Sequence, residues 1–116
     1  MSKERIMKTL KGLGLSDIDT HVYVYLAKQG STELNEIAVA LNMPDRKVDK
    51  SLKDLQNKRI VKASIEQPLE YMAVPFEEVI DLFIKAKKEQ ARAIQQAKKE
   101  LLSSWRKMTK DSPEKS

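Results

Sequence analysis

Between Pro75 and Pro113 the chain carries neither proline nor glycine, and Glu77 and Glu78 stand where the positive end of a helix dipole would favour them. The run predicts a single helix over 76–110, opened by Pro75. At 1.5 Å per residue a helix of about 35 residues reaches roughly 50 Å. A domain made from what precedes it is too small to cover such a helix along its whole length, so the apolar stripe needs another partner. Val79, Phe83, Ala86, Gln90, Ala93, Ala97, Leu101 and Met108 recur at spacings of mostly three and four, with Ile80, Ile94 and Trp105 alongside. A second copy supplies that partner most simply, which makes 76–110 a coiled-coil-type dimerisation helix. Trp105 and Met108 read as packing residues of the pair. Gln90 interrupts the seam and can fix register, and the spacing leaves parallel and antiparallel pairing open. Residues 111–116 are polar, with one proline, and read as a disordered tail.

The first 75 residues divide into short elements. Ile6, Met7, Leu10 and Leu13 recur at helical spacing before Gly14, which predicts a leading helix. Ser16 then offers an N-cap, Asp17 and Asp19 acidify the first turn, and Ile18, Val22, Tyr25, Leu26 and Gln29 form the expected inner face of a second helix ending at Gly30. Ser31 or Thr32 caps a third, with Leu34, Ile37, Ala38 and Leu41 on one face. Pro44, favoured at a first helical position, opens a fourth whose buried stripe is Val48, Leu52 and Leu55. The period then changes to two. Val61, Ala63 and Ile65 alternate with polar residues, and Tyr71 and Ala73 do so after a Gln67-Pro68 break, which predicts a β-hairpin.

This order, mainly α with a small β-hairpin, is the plan of a winged helix-turn-helix domain at 1–75, followed by the long C-terminal coiled-coil-type helix. In that plan the helix opened by Pro44, about 44–58, enters the major groove, which is wide enough for one α-helix. Stepping 100° per residue from Val48, Leu52 and Leu55, the opposite face presents Arg46, Lys50, Lys53 and Asn57, with Lys47 and Ser51 on the flanks. Arginine and lysine can bond guanine edges or neutralise phosphates, and serine and asparagine can reach bases or backbone. From Pro44 to Lys62 there are seven basic residues against Asp45, Asp49 and Asp54. Lys62, at the base of the hairpin, adds a phosphate contact. The alternative is a solvated face held by pairs four residues apart, Asp49 with Lys53 and Asp54 with Lys58.

Composition excludes most chemistry. The 116 residues contain no cysteine, so thiolate zinc sites and thiol nucleophiles are absent, and the three glycines match no phosphate-cradling loop. His21 is the lone histidine, without a second ligand at metal spacing, and reads as a surface or interface residue. Glu77 and Glu78, as helix neighbours, do not face one another and carry no catalytic role. We therefore expect no enzyme, cofactor or metal. The net charge of +5 favours a polyanionic partner. No apolar run approaches a membrane span or a signal peptide, so a cytoplasmic, nucleoid-associated location with no membrane partner is expected.

The residues also carry a resemblance. LGLSDIDTHVYVYLAKQG from Leu13 to Gly30, the run ELNEIAVALNMPDRKVDKSLKDLQNKRIV, and the passage YMAVPFEEVI resemble the N-terminal winged-helix domain of TrmB-like archaeal transcriptional regulators. The matching elements are the Leu-Gly-Leu-Ser entry, the Ile-Ala brace, the Pro-x-x-Lys-Val start of the recognition helix and the Ala-Val-Pro exit, over roughly Leu13 to Val79. The resemblance implies a regulator, archaeal in origin, that binds double-stranded DNA as a homodimer. Family members often continue into a large sugar-sensing domain that has no counterpart here, so no small-molecule effector is expected. Family wings are often basic, whereas this tip reads Glu66-Gln67-Pro68-Leu69-Glu70, and carboxylates near a phosphate backbone oppose binding. Two rival readings share the fold: a winged-helix protein-protein adaptor without DNA binding, which the acidic wing suits, and a sequence-tolerant archaeal chromatin-type protein.

Overall fold

The computed structural model describes residues 3–109. The tail expected at 111–116 lies outside them, as does the last residue of the expected 76–110 helix. A leading helix, α1 (Lys3–Gly12), buries Leu10 and turns at Gly14, whose φ of +114° suits glycine alone. Ser16 starts α2 (Asp17–Gln29): its backbone is extended and its hydroxyl accepts the Asp19 N–H at 3.0 Å. Gly30, with φ +83°, ends that helix.

The inner surface of α2 is broader than the single stripe expected. Asp19, Thr20, Val22, Tyr23, Val24 and Leu26 are all buried, because α1, α3, α4 and the hairpin each pack against this helix. Tyr23, not Tyr25, is the tyrosine that α2 sends into the core, and Gln29 is exposed. The Tyr23 hydroxyl donates to the Val74 carbonyl at 2.7 Å, tying α2 to the residues that lead out of the hairpin.

Neither Ser31 nor Thr32 caps α3 (Leu34–Leu41). Glu33 stands at the cap, and Glu36 reaches back to accept its N–H at 3.3 Å. Thr32 is drawn into the sheet, exchanging two backbone hydrogen bonds with Tyr71 at 3.0 and 2.9 Å. Asn42 closes α3 in the left-handed conformation that asparagine tolerates, φ 54° and ψ 49°. Pro44 then stands one residue earlier than expected. It is the extended N-cap of α4 (Asp45–Asn57), not its first helical residue. Val48, Leu52 and Leu55 are buried as the spacing predicts.

The hairpin is shorter than its alternation suggested. β1 (Val61–Ala63) pairs antiparallel with β2 (Tyr71–Ala73), with Lys62 opposite Met72. Ile65 is 99% exposed and outside the ladder. Ser64 takes over at that point: its N–H donates to the Glu70 carbonyl and its hydroxyl accepts the Glu70 N–H, both at 2.8 Å. This early closure bends the chain before Ile65 can enter the ladder.

After Pro75, α5 (Phe76–Met108) runs for 33 residues. The chain divides into two compact units after Ile80, not at 75. Val79 is fully buried and belongs to the core of the first unit, so it is withdrawn from the expected dimer seam. In the second unit Ile94, Leu101, Trp105 and Met108 are each more than half exposed. No helix among the described residues is long and apolar enough to cross a membrane.

Burial pushes the Tyr23 hydroxyl up from its ordinary 10.0 to about 12. The neutral hydroxyl therefore contributes stability that is fully present below pH 10 and is lost as pH rises towards 12. Tyr23→Phe, which strands the Val74 carbonyl, should cost about 1–3 kcal/mol in urea unfolding at neutral pH. The variant should also lack this part of the alkaline decline, so the gap between the two proteins should narrow from pH 10 to 12. A gap that stays constant across that range would contradict the assignment.

Candidate nucleic-acid interface

The orientation of α4 follows from what its inner side meets. Val48, Leu52 and Leu55 face the core, and one turn from them Ser51 is only 2% exposed. Its hydroxyl donates to Asp19 Oδ1 at 2.7 Å, across 32 residues of sequence. Ser51 was expected on the outward flank and is removed from it. A serine beside the apolar stripe is sequestered when a buried acceptor on a neighbouring helix needs its hydrogen.

The other sequence-predicted residues lie outside. Arg46, Lys47, Lys50, Lys53 and Asn57 are exposed on α4, and Lys62 is exposed on β1. Lys47 and Lys50 border a depression between α4 and the start of α2, lined also by Ser16, Ile18 and Asp54. The cations are not equally free. Lys53 Nζ lies 3.0 Å from Asp49 Oδ2, and that hydrogen bond and charge raise its pKa. A phosphate approaching Lys53 must compete with Asp49. Of the two pairs that the rival solvated-face reading invoked, Asp49 with Lys53 forms and Asp54 with Lys58 does not; Lys58 Nζ instead lies 3.9 Å from Asp19 Oδ2, on the acid that also holds Ser51.

Arg59 is the residue that spacing alone overlooked. It follows α4 with φ +66°, a left-handed position where a residue with a Cβ is strained by about 1 kcal/mol. Its side chain is exposed between the end of α4 and Lys62. Glycine is usual at such a site. Its place one residue past the C-cap Lys58 was the available signal, since helices often close on a left-handed residue.

Elsewhere, His21 bonds within its own helix, with Nδ1 2.8 Å from the Asp17 carbonyl. Glu77 and Glu78 are exposed in the first turn of α5. Among the described residues no group of His, Asp or Glu could hold a metal ion.

A family model described as the sugar-specific transcriptional regulator TrmB matches residues 10–77. No curated protein matches the chain. Among solved structures, the archaeal chromatin protein TrmBL2, said to show a novel mode of DNA binding, aligns with a TM-score of 0.80 at 23% identity, over 93% of this chain and 42% of that one. This chain therefore spans less than half of that protein's structure. A possible transcriptional regulator from Methanosarcina mazei Go1 aligns at TM-score 0.66 and 18% identity, over 85% of this chain and 88% of the other. A mutant of S. aureus MepR bound to an oligodeoxyribonucleotide aligns at 0.56 and 17%, over 92% and 89%. At these identities the likeness is one of fold.

The buried hydroxyl gives a direct test of how α4 is held. Ser51→Ala leaves the Asp19 carboxylate without its closest donor and should lower stability by about 1–3 kcal/mol in urea unfolding. Were Ser51 a solvent-facing residue, the change would stay within about 0.5 kcal/mol.

Proposed function

The chain belongs to the TrmB family of sugar-specific transcriptional regulators, and on that premise we propose that it is a DNA-binding transcriptional regulator that works as a homodimer and has no catalytic role. The observation that carries this reading is the exposed basic face of α4, opposite its buried stripe. Arg46, Lys47, Lys50 and Asn57 meet the major groove and its phosphates, and Lys53 joins them once it leaves Asp49. Arg59 and Lys62 anchor the backbone at the base of the hairpin. Such a protein works in the cytoplasm, on the nucleoid. The exposed apolar side of α5, from Phe83 through Leu101 to Met108, is the dimer contact, without Val79.

A second reading is a sequence-tolerant chromatin-type protein. It draws on the fold likeness to TrmBL2, which is described as a chromatin protein. Both readings place the duplex on the same face and differ in discrimination. Competition between the chain's own upstream sequence and random duplex separates them, because a regulator prefers one site by about 10³-fold or more.

Binding should weaken steeply with salt, because each neutralised phosphate releases counterions. Lys50→Ala should lower affinity and reduce the slope of log affinity against log salt by about 1. No binding even at low salt would overturn the DNA reading in favour of the adaptor. Arg59→Gly separates fold from contact. It relieves the left-handed strain, so urea stability should hold or rise while DNA affinity falls; unchanged affinity would remove Arg59 from the interface.

A further inference from the structure

Counting four and three residues in turn from Phe83 to Met108 marks positions 83, 87, 90, 94, 97, 101, 104 and 108 on one face of α5, a set that leaves Ala86 and Ala93 of the stripe read from the sequence on its flank. That spacing gives one continuous seam on a helix pair. Its content is uneven. Phe83, Ile94, Leu101 and Met108 are large, Ala97 and Ser104 are small, and Lys87 and Gln90 are polar.

Parallel pairing in register would set every seam residue against its own copy. Lys87 would meet Lys87, placing two ammonium groups in one layer, and the layers at Ala97 and Ser104 would be too small to fill the space between neighbouring Ile94 and Leu101 layers. Antiparallel pairing removes both faults, and one register does so while keeping Phe83 and Met108 both covered by described residues. Phe83 then faces Met108 of the other copy, Lys87 faces Ser104, Gln90 faces Leu101, and Ile94 faces Ala97. Large residues meet small ones at the centre, and the two Lys87 side chains separate by about 26 Å along the axis. Ile84 and Trp105, exposed by 47% and 60%, come together on one flank of the seam. The opposed helix dipoles also favour this arrangement. Sliding by one heptad towards the N-termini would bring Lys87 beside Lys98 of the other copy and leave Met108 without a partner in this unit.

Resting on the homodimer reading above, we propose that two copies pair through antiparallel α5 helices in this register, with Ile94 and Ala97 at the crossing point.

The absence of cysteine makes the test clean. Full-length Gln90→Cys and Leu101→Cys chains, one carrying a mass tag, are oxidised each alone and, after subunit exchange under reducing conditions, as a mixture. The mixture should give a disulfide-linked heterodimer. Each variant alone should stay uncrosslinked, because identical positions lie about 16 Å apart along the axis, beyond the roughly 4.4–6.8 Å between Cα atoms that a disulfide spans. Lys87→Cys with Ser104→Cys is a second pair that leaves the large apolar residues intact and should behave likewise. Self-crosslinking of each variant without the mixed species would establish parallel pairing and overturn the proposal. A dimer by sedimentation in which neither pair crosslinks would overturn it as well, by placing the contact on another surface. A monomer by sedimentation would instead refute the homodimer reading on which the proposal rests.

Discussion

The carboxylate of Asp19 is only 3% exposed, yet it is not left alone: the Ser51 hydroxyl donates to it at 2.7 Å and the Lys58 ammonium stands 3.9 Å away as a counter-charge. An ionised group taken out of water is tolerated only with such partners. Both partners come from the far end of the bond, on α4 and at its C-cap, so the acid fixes the roll of α4 about its own axis. Rotation of α4 by one residue would strand the carboxylate and expose Val48 or Leu55 together. The outward display of Arg46, Lys47 and Lys50 is therefore a consequence of an interaction made on the opposite side of the helix.

The same constraint sorts the charges. Two of the carboxylates near the basic face are partly neutralised by local pairing, Asp49 by Lys53 and Asp19 by Lys58. Among the described residues Arg46, Lys47 and Lys50 have no such acid at ion-pair distance. The positive character of the face is thus concentrated in the first half of α4, which is where a helix laid into a groove brings its side chains nearest to base edges.

Much of this was legible in the residues. Helical spacing placed Val48, Leu52 and Leu55 inward, turn residues marked the helix ends, and the basic face followed from 100° stepping. What the pattern could not supply was the width of a buried surface. A stripe describes a helix covered on one side, but α2 is covered on several, so Tyr23 entered the core beside the predicted Val22. Ser51 was misplaced because its partner stands 32 residues away, and nothing local announces a buried acceptor. Val79 matched the α5 stripe and yet closes the core of the first unit, since one periodic face can serve two different neighbours in turn. Thr32 looked like a cap and became a strand partner for Tyr71, a long-range pairing that overrides a local preference.

That last pairing bears on how such a chain avoids misassembly. Strands with open edges recruit strands from other molecules, and a short ribbon is especially exposed to this. Here β2 lies between β1 and the Thr32 bridge, and Thr32 takes both hydrogen-bonding groups of the Tyr71 backbone on the side away from β1. The remaining edge is β1, three residues long and carrying Lys62, and the fully exposed Ile65 beyond it is followed at once by Glu66. Brevity and flanking charge are both known deterrents to cross-strand aggregation. Copies of the chain at high local concentration thus meet wing to wing on a short, charged edge rather than on an open apolar one.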